Sequence, residues 1–153
     1  MRELEVTTQS LSSLRPYCRN ARTHSAKQIA QIAASIRVFG FNNPVLIDKD
    51  GVIIAGHGRV AAAKTLGLET VPVIRLEHMS EAQKRAYILA DNKLAEKAGW
   101  DTEILAIELQ NLMEFDLDFD VSITGFDMPE IDVLMAGLDA KPSKPDPADA
   151  VPE

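Results

Sequence analysis

Two glycines flank a histidine in Gly56-His57-Gly58-Arg59, directly after the apolar run Val52-Ile53-Ile54-Ala55 and directly before Ala61-Ala62-Ala63-Lys64. That order forces a strand to turn sharply into a helix, because glycine supplies backbone angles closed to other residues. The free N–H groups of such a helix start, with Arg59 close behind, form an anion cradle. The pattern predicts a phosphate site of Gly56, His57, Gly58 and Arg59, and it equally fits a plain turn with Arg59 facing solvent. His57 reads as a phosphate ligand, a proton carrier or a hydrogen-bonding cap.

The flanking segments extend this strand-and-helix reading. Ser25-Ala26-Lys27-Gln28 is a capping box, and Ile29, Ile32, Ala33, Ile36 and Phe39 follow at helical spacing until Gly40, which predicts a helix over about 26–39. Pro44-Val45-Leu46-Ile47 and Val52-Ile53-Ile54-Ala55 bracket a turn at Gly51 as two short buried strands. Val71-Pro72-Val73-Ile74 is a third strand, with the proline marking its start or an edge position. Turn chemistry explains Asn43-Pro44 without any ligand, and contact of the Asn42 or Asn43 amide with a base is the other reading.

The second half turns helical. Ser80-Glu81-Ala82-Gln83 opens a helix to about Lys97, and Asp101 caps another, with Trp100 and Leu105 spaced as a hydrophobic staple or Trp100 simply in a core. Asp127-Met128-Pro129-Glu130 starts a last short helix ended near Gly137, and the acidic–apolar alternation at 114–120 suits a half-buried strand. The expected organisation is a small α/β domain of mixed strands with helices over 1–98, a helical extension packed on it over 99–139, and a Pro-rich linker over 140–153. Four of the eight prolines fall in that last stretch, so the chain reads as leading into a further C-terminal domain.

A single cysteine among 153 residues excludes a disulfide framework and a Cys-based zinc site, since either needs several converging thiols. The apolar runs are short and the first residues lack a secretory pattern, which predicts a soluble cytoplasmic protein without a membrane partner. The net charge of −7 hides an asymmetry. Residues 1–75 carry ten Lys/Arg against five Asp/Glu, while 76–153 carry six against eighteen. The first half can meet phosphate locally, and the split makes a head-to-tail homodimer or another protein-interaction role a reading to carry.

In order, QIAASIRVFGFNNPVLI, VIIAGHGRVAAAKTLGLETVPVI and SEAQKRAYILADNKLAE resemble the N-terminal domain of the ParB/sulfiredoxin superfamily. Its partition members carry a helix ending in "hG-x-x-QP", a strand, a "GERR-x-RAA" box opening a helix, a "VP" strand and an "EN-x-QR" helix. The resemblance covers about 70 residues and extends to LRPYCRNARTHSAK, which is similar to the family's "NP-x-x-R" loop. It implies a ParB-like mixed sheet with helices, and nucleotide phosphates held at Gly56 and Arg59. It further implies loop basic groups at Arg22 and His24, Asn43 in the "QP" turn, and Mg²⁺ held at Asp91-Asn92. His57 stands where sulfiredoxins have their reactive Cys, so sulfinic acid repair is excluded, and Cys18 reads as a packing residue.

Gly58, Ala61, Leu94 and Ala95 depart from the family residues, which implies a weaker phosphate grip and puts hydrolysis in more doubt than binding. After Trp100 the sequence offers no basic helix-turn-helix of the partition type and no specific DNA reader. The acidic "ITGF-x-x-x-EID" segment before a Pro-rich stretch resembles phage- and prophage-type DNA modification methyltransferases carrying a ParB-like domain. Their S-adenosylmethionine site would lie beyond Glu153. The leading expectation is a nucleotide- or DNA-associated module of such a methyltransferase. A Mg-dependent nuclease, nucleotide hydrolase or kinase with His57 as general acid/base is the alternative, and a protein-interaction module the third.

Overall fold

The computed structural model describes residues 3–140, and the Pro-rich stretch predicted as a linker lies outside them apart from Ala140. The chain divides between Ala98 and Gly99 into two compact units. The first carries a four-stranded mixed sheet of β1 (Val6–Ser10), β2 (Val45–Ile47), β3 (Ile53–Ala55) and β4 (Thr70–Arg75), with α1 (Ala26–Phe39), α2 (His57–Thr65) and α3 (Glu81–Lys97). The second holds α4 (Thr102–Met113), a 3-10 turn at Val121–Thr124 and α5 (Met128–Ala140).

The sheet order is β1-β4-β2-β3, with β1 antiparallel to β4, β4 parallel to β2, and β2 antiparallel to β3. Alternate residues of β2 and β4 point inward, and Val45, Ile47, Val71 and Val73 are completely or almost completely buried with Ile53. Val60 and Ala63 of α2 close over them, and each buried Val or Ile contributes roughly 1.5–3 kcal/mol of transfer free energy. Gly51 turns the β2–β3 hairpin at φ +79°.

Asp48 fixes that hairpin. One carboxylate oxygen accepts the N–H groups of Asp50 (2.8 Å) and Val52 (2.9 Å), and the other meets Lys84 Nζ of α3 at 3.0 Å. Burial alone would raise its pKa, but the Val52 N–H, the Lys84 ammonium and the Asp50 N–H together hold it below the usual carboxylate range.

The predicted N-caps Ser25, Ser80 and Asp101 all form. At Ser80 the box is reciprocal, whereas Ser25 accepts the Gln28 N–H while the Gln28 side chain turns instead to His24 Nδ1, at 3.2 Å. Four expectations need correcting. Pro72 lies inside the sheet and not at an edge; the ladder to β2 begins only at Val73, so the missing N–H falls at the mouth of that pairing. Residues 114–120 form no strand, because the second unit is helical and offers no neighbouring strand to pair with. The last helix passes through Gly137 to Ala140, carried by packing against α4 that outweighs the roughly 1 kcal/mol cost of glycine. Cys18 is exposed and packs in no core. Among the described residues no helix is long and apolar enough to cross a membrane.

Candidate functional site

The turn from β3 into α2 is made by Gly56, the N-cap of α2, at φ +109° and ψ +23°. Only glycine takes that left-handed conformation without strain. The space is also needed: a β-carbon there would come within 3.1 Å of Arg59 Nη2 and 3.2 Å of Cζ. Arg59 therefore folds back over its own helix start. Its Nη2 donates to Pro44 O at 2.9 Å, while its Nε–H is buried with no hydrogen-bond partner. Burial lowers the Arg59 pKa and the nearby Asp91 carboxylate raises it in part. A guanidinium normally stays charged in a protein, so this one is a half-buried cation with a buried, unmet donor.

His57, the first residue of α2, accepts the backbone N–H of Tyr17 on Nε2 at 3.0 Å. An accepting Nε2 leaves the ring proton on Nδ1, and burial lowers the pKa below 6.5, with the charge of His24 adding to the effect. The bond ties the ring to the loop at Tyr17, no side-chain hydrogen bond caps α2, and Nδ1 is left for any contact with a ligand. Gly58 is buried, and a β-carbon on it would meet Ile32 Cδ1 at 3.0 Å and His24 Cε1 at 3.1 Å. The imidazole of His24 thus occupies the space that a side chain at position 58 would need.

A cleft of about 160 Å³ gathers Arg22, Gly56, His57, Gly58, Arg59, Asp91 and Asn92. Asn43 does not line it; it is exposed, one residue before the carbonyl that Arg59 holds. The Asn42 amide is already engaged, donating to Phe39 O at 2.7 Å behind α1. Arg22 reaches Glu96 of α3 at 3.4 Å, an exposed contact of little energetic weight. Asn92 donates from Nδ2 to Ile88 O at 2.8 Å, which leaves its Oδ1 open. Sequence reasoning missed Asn20 and Ile32, both on the cleft wall, because a loop amide and a helix isoleucine carry no motif. Among the described residues no group of three or more His, Cys, Asp or Glu is arranged to hold a metal ion.

In the second unit, Trp100 is 70% exposed and meets Phe126 edge-on, with ring centroids 5.4 Å apart. It stands at the mouth of an apolar groove that Leu105 also lines, and not in a core.

Comparison with known proteins places this geometry. The model of the ParB N-terminal domain matches residues 2–93, and that of the ParB-methyltransferase HTH domain matches residues 103–153. The second match assigns a helix-turn-helix model to the segment where the sequence offered no basic helix-turn-helix of the partition type, and that segment carries no Lys, Arg or His up to Ala140. The Escherichia coli ParB-like nuclease domain-containing protein YnaK is 52% identical over 83 residues, covering 54% of this chain and 95% of that protein. The "Probable chromosome-partitioning protein ParB" of Treponema pallidum is 41% identical over 75 residues, 46% of this chain and 23% of its own length, so the chain matches only a part of that relative. The crystal structure of a C-terminally truncated ParB from Caulobacter crescentus complexed with CTP-gamma-S superposes with a TM-score of 0.66 at 20% identity, covering 87% of this chain and 86% of that one, a likeness of fold. The matched span takes in more than half of the chain, and the chain belongs to the ParB N-terminal domain family.

Proposed function

We propose that the first unit is a receptor for nucleotide phosphate that serves a DNA modification methyltransferase. The observation that carries the reading is Arg59, whose Nε–H is buried and unpartnered while Nη2 is anchored on Pro44 O. A buried, unmet donor costs about 1–3 kcal/mol, and an anionic oxygen accepting that N–H removes the cost. The first N–H groups of α2 open beside it, and the helix dipole favours negative charge there. A nucleotide supplies such oxygens, in keeping with the CTP-gamma-S held by the Caulobacter protein. DNA phosphate offers the same chemistry.

Arg22 and His57 Nδ1 flank the phosphate on this reading, and Asn43 awaits the base. Asp91 and Asn92 fit a Mg²⁺ ion: the ion needs only one or two protein oxygens and completes its shell with phosphate oxygens and water. Bound there, it would neutralise phosphate charge. The ParB-methyltransferase description of the second matched family supports the parent enzyme, whose S-adenosylmethionine chemistry would belong to a further C-terminal domain. DNA and that catalytic domain are then the module's partners. Turnover as a nuclease, nucleotide hydrolase or kinase is less well supported, because His57 Nε2 would have to release Tyr17 before moving a proton on that nitrogen.

Calorimetric titration of CTP, ATP and GTP, each with Mg²⁺, into the chain and into Arg59→Ala tests the proposal. Binding of at least one nucleotide, weakened about tenfold or more in the variant, is expected, since a charged hydrogen bond is worth roughly 1.5–3 kcal/mol. Absence of binding, or equal binding by both proteins, contradicts it.

A further inference from the structure

Between Gly99 and Ala140 the chain carries eleven Asp/Glu and no Lys, Arg or His. Over the whole segment matched by the helix-turn-helix family, 103–153, there are two lysines against thirteen carboxylates. Nucleic-acid affinity comes mainly from cations that neutralise backbone phosphates and release their counterions. A surface of this charge repels a duplex before any base can be read. The segment matches a helix-turn-helix family model and lacks the electrostatics of a DNA reader.

The same unit presents an apolar groove of about 460 Å³ walled by Trp100, Leu105, Phe126, Pro129, Val133 and Leu134. Trp100 is 70% exposed and Val133 73% exposed, so the apolar surface is open and not merely an internal gap. Glu130 lines the groove itself, and Asp101, Asp127 and Asp132 each adjoin a wall residue in the chain. Asp101 and Asp127 each cap a helix with one oxygen, accepting the N–H of Ile104 and of Glu130, which leaves each a second oxygen for a cation.

We propose that this groove docks a basic amphipathic segment of a partner protein, a stretch of Lys and Arg around one or two large apolar side chains. The apolar anchor fills the space between Trp100, Phe126 and Val133, where aromatic walls contribute most. The cations pair with the carboxylates at the rim, which steers encounter and rejects acidic competitors. Charge complementarity selects this occupant over nucleic acid and over an equally acidic surface. The inference uses only the second unit and stands apart from the phosphate site.

Trp100 is the chain's one tryptophan, so its emission reports on the groove directly. The full chain is titrated with a tryptophan-free amphipathic Leu/Lys peptide, with the same peptide carrying Glu for Lys, and with a DNA duplex of unrelated sequence. The Lys peptide is expected to give a saturable blue shift, with affinity falling about tenfold between about 0.1 M and about 0.5 M salt. Val133→Asp, at an exposed position, is expected to weaken it about tenfold or more, and Glu130→Gln a few-fold. The Glu peptide and the duplex are expected to leave the emission unchanged. A response to the duplex, a blue shift that grows with the chain's own concentration before peptide is added, or no response to the Lys peptide overturns the proposal.

Discussion

The imidazole Nε2 of His57 accepts the backbone N–H of Tyr17 at 3.0 Å, across forty residues of chain. The bond pins the loop that carries Asn20, Arg22 and His24 to the start of α2, and it needs a neutral ring. Burial, with the charge of His24, holds the folded pKa below 6.5. As pH falls past that ordinary value the unfolded chain takes up the proton first, so the contribution is whole above about 6.5 and shrinks as pH drops through the folded value. The melting temperature of the chain is expected to fall between about pH 7 and pH 5 more steeply than that of His57→Gln. Thermal unfolding of both proteins across this range checks it; parallel profiles contradict it.

Gly56 and Gly67 both have positive φ, at +109° and +72°, but a β-carbon meets Arg59 at the first and nothing within 4 Å at the second. Alanine at either site is expected to cost about 1–2 kcal/mol through backbone strain. Only Gly56→Ala also pushes the guanidinium from Pro44 O. Urea unfolding is expected to show comparable losses, whereas phosphate-ligand affinity falls about tenfold in Gly56→Ala and is unchanged in Gly67→Ala.

Removal of the Asp48 carboxylate leaves Lys84 Nζ, only partly exposed, with Glu81 alone, and orphans the N–H groups of Asp50 and Val52. Asp48→Ala is expected to cost about 2–4 kcal/mol by chemical denaturation, since unpaired buried donors are expensive. Because the folded pKa lies below the ordinary carboxylate value, this stability is present above about pH 4 and is lost as pH falls through the folded value. The acid limb of the wild type should accordingly be steeper than that of Asp48→Asn.

Where a local signal decided the structure, the sequence could be read. Ser25 and Ser80 announced α1 and α3, Gly51 the β2–β3 turn, and Gly56 the strand-to-helix corner, because caps and positive-φ glycines act within a few residues. β1 escaped notice: Val6–Ser10 is mostly polar and exposed, and only its ladder with β4 makes it a strand. The alternation at 114–120 misled for the converse reason, a strand pattern without a partner.

At the site, the GHGR turn, Arg22 and Asp91-Asn92 could be linked through the family resemblance, and the cleft gathers them. The Tyr17–His57 bond, the wrapping of Arg59 over Gly56 and the filling of position 58 by His24 depend on distant chain segments and left no trace in local pattern. In the second unit the helix-turn-helix match left no charge signal to read, because the chain carries no cation from Gly99 to Ala140.

The central claim is that the unmet Nε–H of Arg59 is the donor that a phosphate oxygen satisfies. It is tested most directly by following the Arg59 Nε–H resonance in ¹H–¹⁵N spectra, assigned by comparison with Arg59→Lys, as nucleotide and Mg²⁺ are added. A saturable downfield shift of that proton, with slowed exchange against water, is the predicted result. An Nε–H that stays in place while the ligand binds elsewhere, or that never responds to any nucleotide or inorganic phosphate, contradicts the account.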